Sequence, residues 1–352
     1  MPEKGIEWKG TFYTWNTIRN TRFPGSVLEF CHEWLQNQES FSMKTSGSTG
    51  TPKTIELKRQ HMAASAELTK ELLQPETTDS LFLGINSDTI GGRMILVRAM
   101  EWDLAIKVVE AQSNPLNDLN DNHPYTITSL VPYQLSEILK DKNSLKKLSL
   151  FEKILIGGAP LDPILEEKLQ GLNPLFFLTY GMTETCSHVA ARQLNGKQPQ
   201  KFFHPLQGVR VGINEREALW IETPTSDSHP VQTNDRARIL ANGSFEILGR
   251  LDRTINSGGV KIQLEELEAL IAPHLQGIPF YCDATEDSRL GQKLVLILES
   301  EPFETKELLL RLKSELPPYK APKAIIFAPN FEWTQSGKID RIKTSLQWAK
   351  TN

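Results

Sequence analysis

The chain has little of what several functional classes require. Only three of its 352 residues are cysteines, Cys31, Cys186 and Cys282, and they lie far apart with no paired ligand spacing. That argues against a disulfide framework or a cysteine zinc site and suits a reducing compartment. The seven histidines form no cluster with metal-ligand spacing. Excess positive charge is also missing: 39 Lys and Arg stand against 43 Asp and Glu, a formal net charge of −4. A general nucleic-acid binder needs a basic surface, so no nucleic-acid partner is expected. No apolar run approaches the length of a bilayer span. The opening stretch MPEKGIEWKG lacks the apolar core of a signal peptide, and a cytoplasmic protein is the expectation.

What is present begins with TSGSTGTPKT, Thr45 to Thr54. A Walker A loop needs Gly, four residues and then Gly-Lys-Ser/Thr, whereas here Gly47 leads after four residues to Pro52-Lys53-Thr54. Proline has no N–H and a fixed φ, so Pro52 cannot replace a glycine that donates to phosphate. The segment is instead a hydroxyl-rich loop (Ser46, Ser48, Thr49 and Thr51) with glycines at Gly47 and Gly50 and one cation at Lys53. Hydroxyls and backbone N–H groups can wrap polyphosphate oxygens while Lys53 adds point charge. A Ser/Gly linker is the ordinary alternative.

The pattern around this loop is α/β. Residues 61–73 read as a helix, and short apolar runs at 81–85, 127–131, 153–157 and 175–179 alternate with helical patterns at 133–140 and 163–170. The Asn/Asp/Pro-rich stretch 113–124 reads as a surface loop. Near residue 250 the character changes: a helix over 264–271, a strand over 293–299, a helix over 305–316, a strand over 323–328 and a polar end loop make a small α+β pattern. The expectation is a large layered α/β domain over 1–249, a hinge at 250–253 and a small mobile α+β domain over 254–352.

Four further segments join the phosphate loop in order: LIGGAPL (155–161), TYGMTET (179–185), TNDRARIL through LGRLDRTINSGGVKI (233–262) and SGKIDR (336–341). Each alone is weak. Together they closely resemble the adenylate-forming superfamily of acyl-CoA synthetases, luciferases and adenylation domains, over the chain from about Thr45 onward. The resemblance implies an ATP- and Mg2+-dependent ligase that makes an acyl-adenylate and passes the acyl group to a thiol such as coenzyme A. The chemistry is coherent, because a carboxylic acid is a poor acyl donor until AMP replaces hydroxide as its leaving group. The adenylating step gathers negative charge on phosphorus and calls for cations, a metal and N–H or hydroxyl donors.

Roles follow from that resemblance, residue by residue. Thr45 through Gly50 with Lys53 would hold the phosphates, Ser48, Thr49 and Lys53 above all. Gly158, Ala159 and Pro160 would line the base pocket, with Tyr180 stacked on adenine and Gly181 beside it. Thr183 would donate to the α-phosphate and Glu184 would hold Mg2+, a hard cation that prefers oxygen. Asp235 would accept from the ribose hydroxyls with Arg250 nearby. Lys338 would reach the α-phosphate, Asp252 would serve as the hinge, and Gly258 and Gly259 would let the pantetheine arm of CoA approach. Each residue also has an ordinary alternative: Glu184 as a surface carboxylate, Tyr180 as a core edge, Asp235 as a turn residue and Asp252 as a turn cap.

Within the superfamily, TSLVPYQLSEIL (128–139), INSGGVKIQLEELE (255–268) and YGMTETCS (180–187) are similar to the o-succinylbenzoate–CoA ligase family. Arg98 supports this independently. It lies in the mainly apolar GGRMILVRAM (91–100), where a guanidinium is costly to bury without a partner. A substrate with two carboxylates, one activated and one left over, would supply that partner. Pairing with a protein carboxylate, or a side chain that reaches solvent, is the alternative. The resemblance also places substrate contacts at Ser129 and His188. Two departures stand out: only 44 residues precede Thr45, and the PLFHxxG stretch reads INSDTIGG (85–92). The first admits a partly open substrate face or a homodimer that covers it, and the second alters the acyl pocket. The competing functions are a CoA ligase for another aryl or fatty acid, an amino-acid adenylation domain and a non-catalytic nucleotide sensor.

Overall fold

A nine-stranded sheet organises the first two hundred or so residues of the computed structural model, which describes residues 3–45, 53–227, 230–275, 277–333 and 339–348. The hairpin β1 (Gly5–Trp8) and β2 (Thr11–Thr14) leads into α1 (Trp15–Asn20) and α2 (Val27–Leu35). A separate ribbon pairs β3 (Ser40–Thr45) with β4 (Lys53–Lys58), Thr45 opposite Lys53. Alternating elements follow: α3 (Arg59–Leu73), β5 (Ser80–Leu83), α4 (Ile90–Glu101), β6 (Ala105–Val108), β7 (Ile127–Leu130) and α5 (Pro132–Ile138). After them come α6 (Lys142–Leu148), β8 (Lys153–Ile156), α7 (Pro163–Leu169), β9 (Leu175–Met182), β10 (Ser187–Gln193) and β11 (His204–Pro205).

The strands lie in the order β11-β10-β9-β8-β7-β5-β6-β1-β2. From β9 to β1 all neighbours are parallel, and the outer strands β2, β10 and β11 are antiparallel. Side chains alternate across this sheet as the pleat requires. Leu81, Leu83, Ile127, Leu155 and Phe177 face one core with α2, α3 and α4, while Phe82, Leu130, Ile154, Ile156, Phe176 and Leu178 face a second core with α5, α6 and α7. Each such fully buried large side chain stabilises by about 1.5–3 kcal/mol. The connection from β5 runs to β6 on one side while β7 lies on the other, so the winding reverses beside β5. Ligands in doubly wound sheets bind outside the carboxyl ends of strands at such a point.

The expected elements hold with shifts of a few residues; the helix placed at 61–73 starts at Arg59. The stretch 113–124 departs from a plain surface loop. It contains a 3-10 turn, Pro115–Asp118, whose Leu116 is fully buried with Leu119 in the second core. Gln134 Nε2 donates to the Gln112 carbonyl at 2.9 Å and fastens the start of the segment to α5. Two apolar anchors in a polar sequence were too sparse to show a period.

An antiparallel sheet of β12 (Arg210–Ile213), β13 (Ala218–Glu222), β14 (Val231–Ile239) and β15 (Phe245–Arg250) comes next. A 3-10 turn, Leu251–Arg253, then leads into a smaller unit. Its strands are β16 (Thr254–Ser257), β17 (Val260–Gln263), β18 (Phe280–Asp287), β19 (Gly291–Glu299) and β20 (Ala324–Ala328), with helices α8 (Leu264–Ile271), α9 (Lys306–Glu315) and α10 (Arg341–Trp348). The fold is therefore a large layered α/β unit followed by a small α+β unit. Arg341, expected in the polar end loop, is the first residue of α10.

Candidate active site

Among the described residues, Gly158 to Pro160 and Tyr180 to Glu184 lie at the carboxyl ends of the parallel strands β8 and β9. Past the end of β8, Gly158 takes a φ of +87°, a left-handed conformation that favours glycine. Its neighbour Gly157 is held close for a different reason: an added Cβ would lie 2.6 Å from Thr179 Oγ1, which donates to the Ile156 carbonyl. Gly158 and Pro160 are exposed and Ala159 is half-buried, so this turn presents backbone to solvent beside β9.

Tyr180, on β9, packs edge-on to Phe245 with centroids 5.5 Å apart, and its hydroxyl donates to Asp235 Oδ2 at 2.6 Å. Burial, and then the Asp235 carboxylate, push the Tyr180 hydroxyl well above the usual phenol range, so it stays a donor. Asp235 Oδ1 lies 3.5 Å from Arg250 Nη1, and Arg250 pairs with both Asp252 oxygens at 2.8 and 2.7 Å. The register of β14 and β15 sets Asp235 opposite Arg250. The fork-on-carboxylate bonds from Arg250 hold Asp252 below its ordinary range. A chain of polar contacts thus runs from Tyr180 through Asp235 and Arg250 to Asp252, in the turn between the two units.

Gly181 is required by close approach, since a Cβ there would sit 2.1 Å from the Ser187 carbonyl oxygen on β10. The chain then enters the 3-10 turn Thr183–Thr185, in which Thr183 is half-buried and Glu184 exposed. Thr185 Oγ1 accepts from the Met182 N–H at 3.1 Å, and Cys186 leaves the turn at a φ of +53°. The turn is locked from within, which keeps Glu184 outside. An exposed carboxylate suits Mg2+ that keeps water and substrate phosphates as its other ligands. Among the described residues no group of three or more His, Cys, Asp or Glu forms a metal cage.

Arg98 is 3% exposed on α4. Its Nη2 donates to His188 Nδ1 at 3.4 Å and to Ser187 Oγ at 3.5 Å, while the buried Nε has no partner among the described residues. Among the described residues no carboxylate pairs with it, so the alternative of a protein carboxylate partner finds no support. Burial lowers the guanidinium to about 10, which leaves it charged at neutral pH. Cys186 nearby offers no counter-charge, because burial pushes its thiol up to about 12. Burial, then Arg98, keep His188 well below the usual imidazole range and therefore neutral. Its pairing opposite Gly181 places this cationic site directly behind the strand that carries Tyr180.

Ser129 is half-buried at the end of β7 and, two residues from Ile127, shares the sheet face covered by α3 and α4. His188 is turned toward Arg98 and Thr69. Gly258 and Gly259, at φ +61° and +84°, form the two-residue turn between β16 and β17; a hairpin of this kind needs positive φ at both positions. Ser46 to Gly50 and Lys338 lie outside the described residues, and for Thr45 and Lys53 only the strand pairing is described.

Three contributors escaped the sequence reading. Thr69 bonds to His188 at 3.2 Å. Gln263 donates to the Arg250 carbonyl at 2.9 Å, and a Cβ on Gly249 would lie 2.1 Å from its Nε2. Trp333 stacks on Tyr133 of α5, joining the small unit to the large one with centroids 5.2 Å apart. The glutamine stood within the quoted IQ pair; the other two gave no local signal.

Comparison with known proteins agrees with this geometry. The model of the AMP-binding enzyme family matches residues 32–218. The 2-succinylbenzoate–CoA ligase of Escherichia coli (strain K12) is 29% identical over 290 residues, 79% of this chain and 62% of that protein. The same-named ligase of Staphylococcus epidermidis (strain RP62A) is 28% identical over 338 residues, 88% and 71% of the two chains. The chain thus spans 62 to 71% of the length of these curated relatives. Among solved structures, an acyl-CoA synthetase (AMP-forming)/AMP-acid ligase II-like protein from Dyadobacter fermentans is 36% identical with a TM-score of 0.63, covering 95% of this chain and 98% of that one. The O-succinylbenzoate coenzyme A synthetase (MenE) of Bacillus subtilis, solved with ATP and magnesium, superposes with a TM-score of 0.72 at 20% identity, over 86% of this chain and 69% of that one. With a family model over more than half its length, the chain belongs to the AMP-binding enzymes of the adenylate-forming superfamily.

Proposed function

We propose that this chain activates a carboxylic acid with ATP and transfers the acyl group to coenzyme A, and that the acid is o-succinylbenzoate, a step of menaquinone biosynthesis. The observation that carries the choice of acid is Arg98, a buried cation with no carboxylate partner among the described residues, next to the strand bearing Tyr180. The names of the curated relatives point the same way. A dicarboxylate would leave its second carboxylate on Arg98, with Ser129 beside it, while the first meets ATP.

On this reading Ser48, Thr49 and Lys53 hold phosphates, and the glycine turn at Gly158 with Tyr180 frames adenine. Asp235 keeps lone pairs for ribose, Thr183 donates to the α-phosphate and Glu184 holds Mg2+. Lys338 neutralises charge during adenylation. Asp252, tied to Arg250, is the hinge on which the small unit turns, with Gly258 and Gly259 then toward CoA. An amino-acid adenylation domain would need an anion for the substrate ammonium, and Arg98 is a cation. Pyrophosphate release from ATP across a panel of acids, with and without CoA, tests the whole. Release driven by aryl dicarboxylates is expected. Equal release with monocarboxylates would overturn the acid, and no acid-dependent release would leave a nucleotide sensor.

A further inference from the structure

Thr69, fully buried on α3, lies 119 positions from His188 in sequence yet touches it. Its hydroxyl is 2.9 Å from the Ser65 carbonyl, which only accepts, so the hydroxyl hydrogen is committed there. The contact at 3.2 Å to His188 Nε2 therefore needs its hydrogen on the ring nitrogen. That leaves Nδ1 bare, facing Arg98 Nη2 at 3.4 Å, a group that only donates. A carbonyl at one end and a guanidinium at the other fix every proton between them. Ser187 Oγ takes the other Nη2 hydrogen, so the guanidinium is gripped by one nitrogen while its Nε–H has no partner among the described residues.

We infer that Thr69 is a positioning residue for acid selection: it sets the His188 tautomer, and the ring in turn holds Arg98 with its remaining N–H groups free for a substrate carboxylate. This rests on the role given to Arg98 above. It recasts His188 as a support of the binding group. Were His188 to flip to the Nδ1–H tautomer, a donor would face a donor, and Arg98 would lose its orientation.

The test uses Thr69→Val, which keeps the shape and removes the hydroxyl, and Thr69→Ser, which restores it. For Thr69→Val the KM for o-succinylbenzoate should rise about tenfold, the scale of one such hydrogen bond. The kcat, the KM for ATP and turnover of a monocarboxylate benzoate analogue should stay unchanged, and Thr69→Ser should behave as wild type. In parallel, nitrogen NMR of histidine-labelled wild-type protein, with His188→Gln to assign the signal, should show a neutral Nε2–H ring. An Nδ1–H or charged ring in the wild type would overturn the inference even if Thr69→Val fails to fold. Equal losses for both acids, or none, would also overturn it. A wild-type enzyme inactive on dicarboxylates would refute the choice of acid instead, while the spectrum still decides the tautomer.

Discussion

Replacing Arg98 by methionine separates a binding residue from a structural one. Burial lowers the guanidinium to about 10, and at about 1.4 kcal/mol per unit of lowering the charge is held there at a cost on the order of a few kcal/mol. Methionine fills a similar volume without charge and relieves that cost, offset in part by lost contacts with His188 and Ser187. The melting temperature should therefore hold or rise by a few degrees. Catalysis should move the other way. A charge-assisted contact is worth about 1.5–3 kcal/mol, so the KM for a dicarboxylate should rise roughly 10- to 150-fold. The KM for ATP and turnover of a monocarboxylate analogue should stay near wild type. Thermal unfolding beside steady-state kinetics with both acids reads the result. A large fall in melting temperature with equal loss for both acids would refute the reasoning and make Arg98 a packing residue.

Lys338→Ala should slow adenylation by ~10²–10³-fold, the usual scale for removing one group that stabilises developing charge. Given preformed acyl-adenylate and CoA it should still make thioester, and silence in both half-reactions would end the assignment. Asp252→Pro should spare whichever half-reaction its fixed φ favours and suppress the other, whereas loss of both with a lowered melting temperature would mean misfolding. His188 is kept neutral by burial, below its unfolded value of 6.5. As pH falls below 6.5 the unfolded chain takes up a proton that the folded chain does not, so stability is lost with acid. His188→Gln should flatten that slope by up to about 1.4 kcal/mol per pH unit, and denaturant titrations at pH 5.0 to 6.5 with an unchanged slope would contradict it.

The sequence by itself determined the local elements. Helix 264–271 coincides with α8, and the runs at 127–131, 153–157 and 175–179 mark three parallel strands. Those are short-range facts, because period and turn chemistry are written within about ten neighbouring residues. The Tyr180, Gly158 and Asp235 motifs were legible for the same reason.

Only the tertiary structure decided what surrounds Arg98. Its apolar flanks announced that it is buried, but nothing local announced that no carboxylate among the described residues pairs with it, since that depends on the residues folded around it. Thr69 reads in HMAASAELTKELL as a common helix residue, and His188 reads as part of a strand. They became one hydrogen-bonded chain when α3 and α4 closed over the same face of β10. The Tyr133–Trp333 stack and the Gln263–Arg250 bond likewise join positions remote in sequence. Directed contacts between distant side chains depend on packing, and packing is set by the sheet order that brings those strands and helices together.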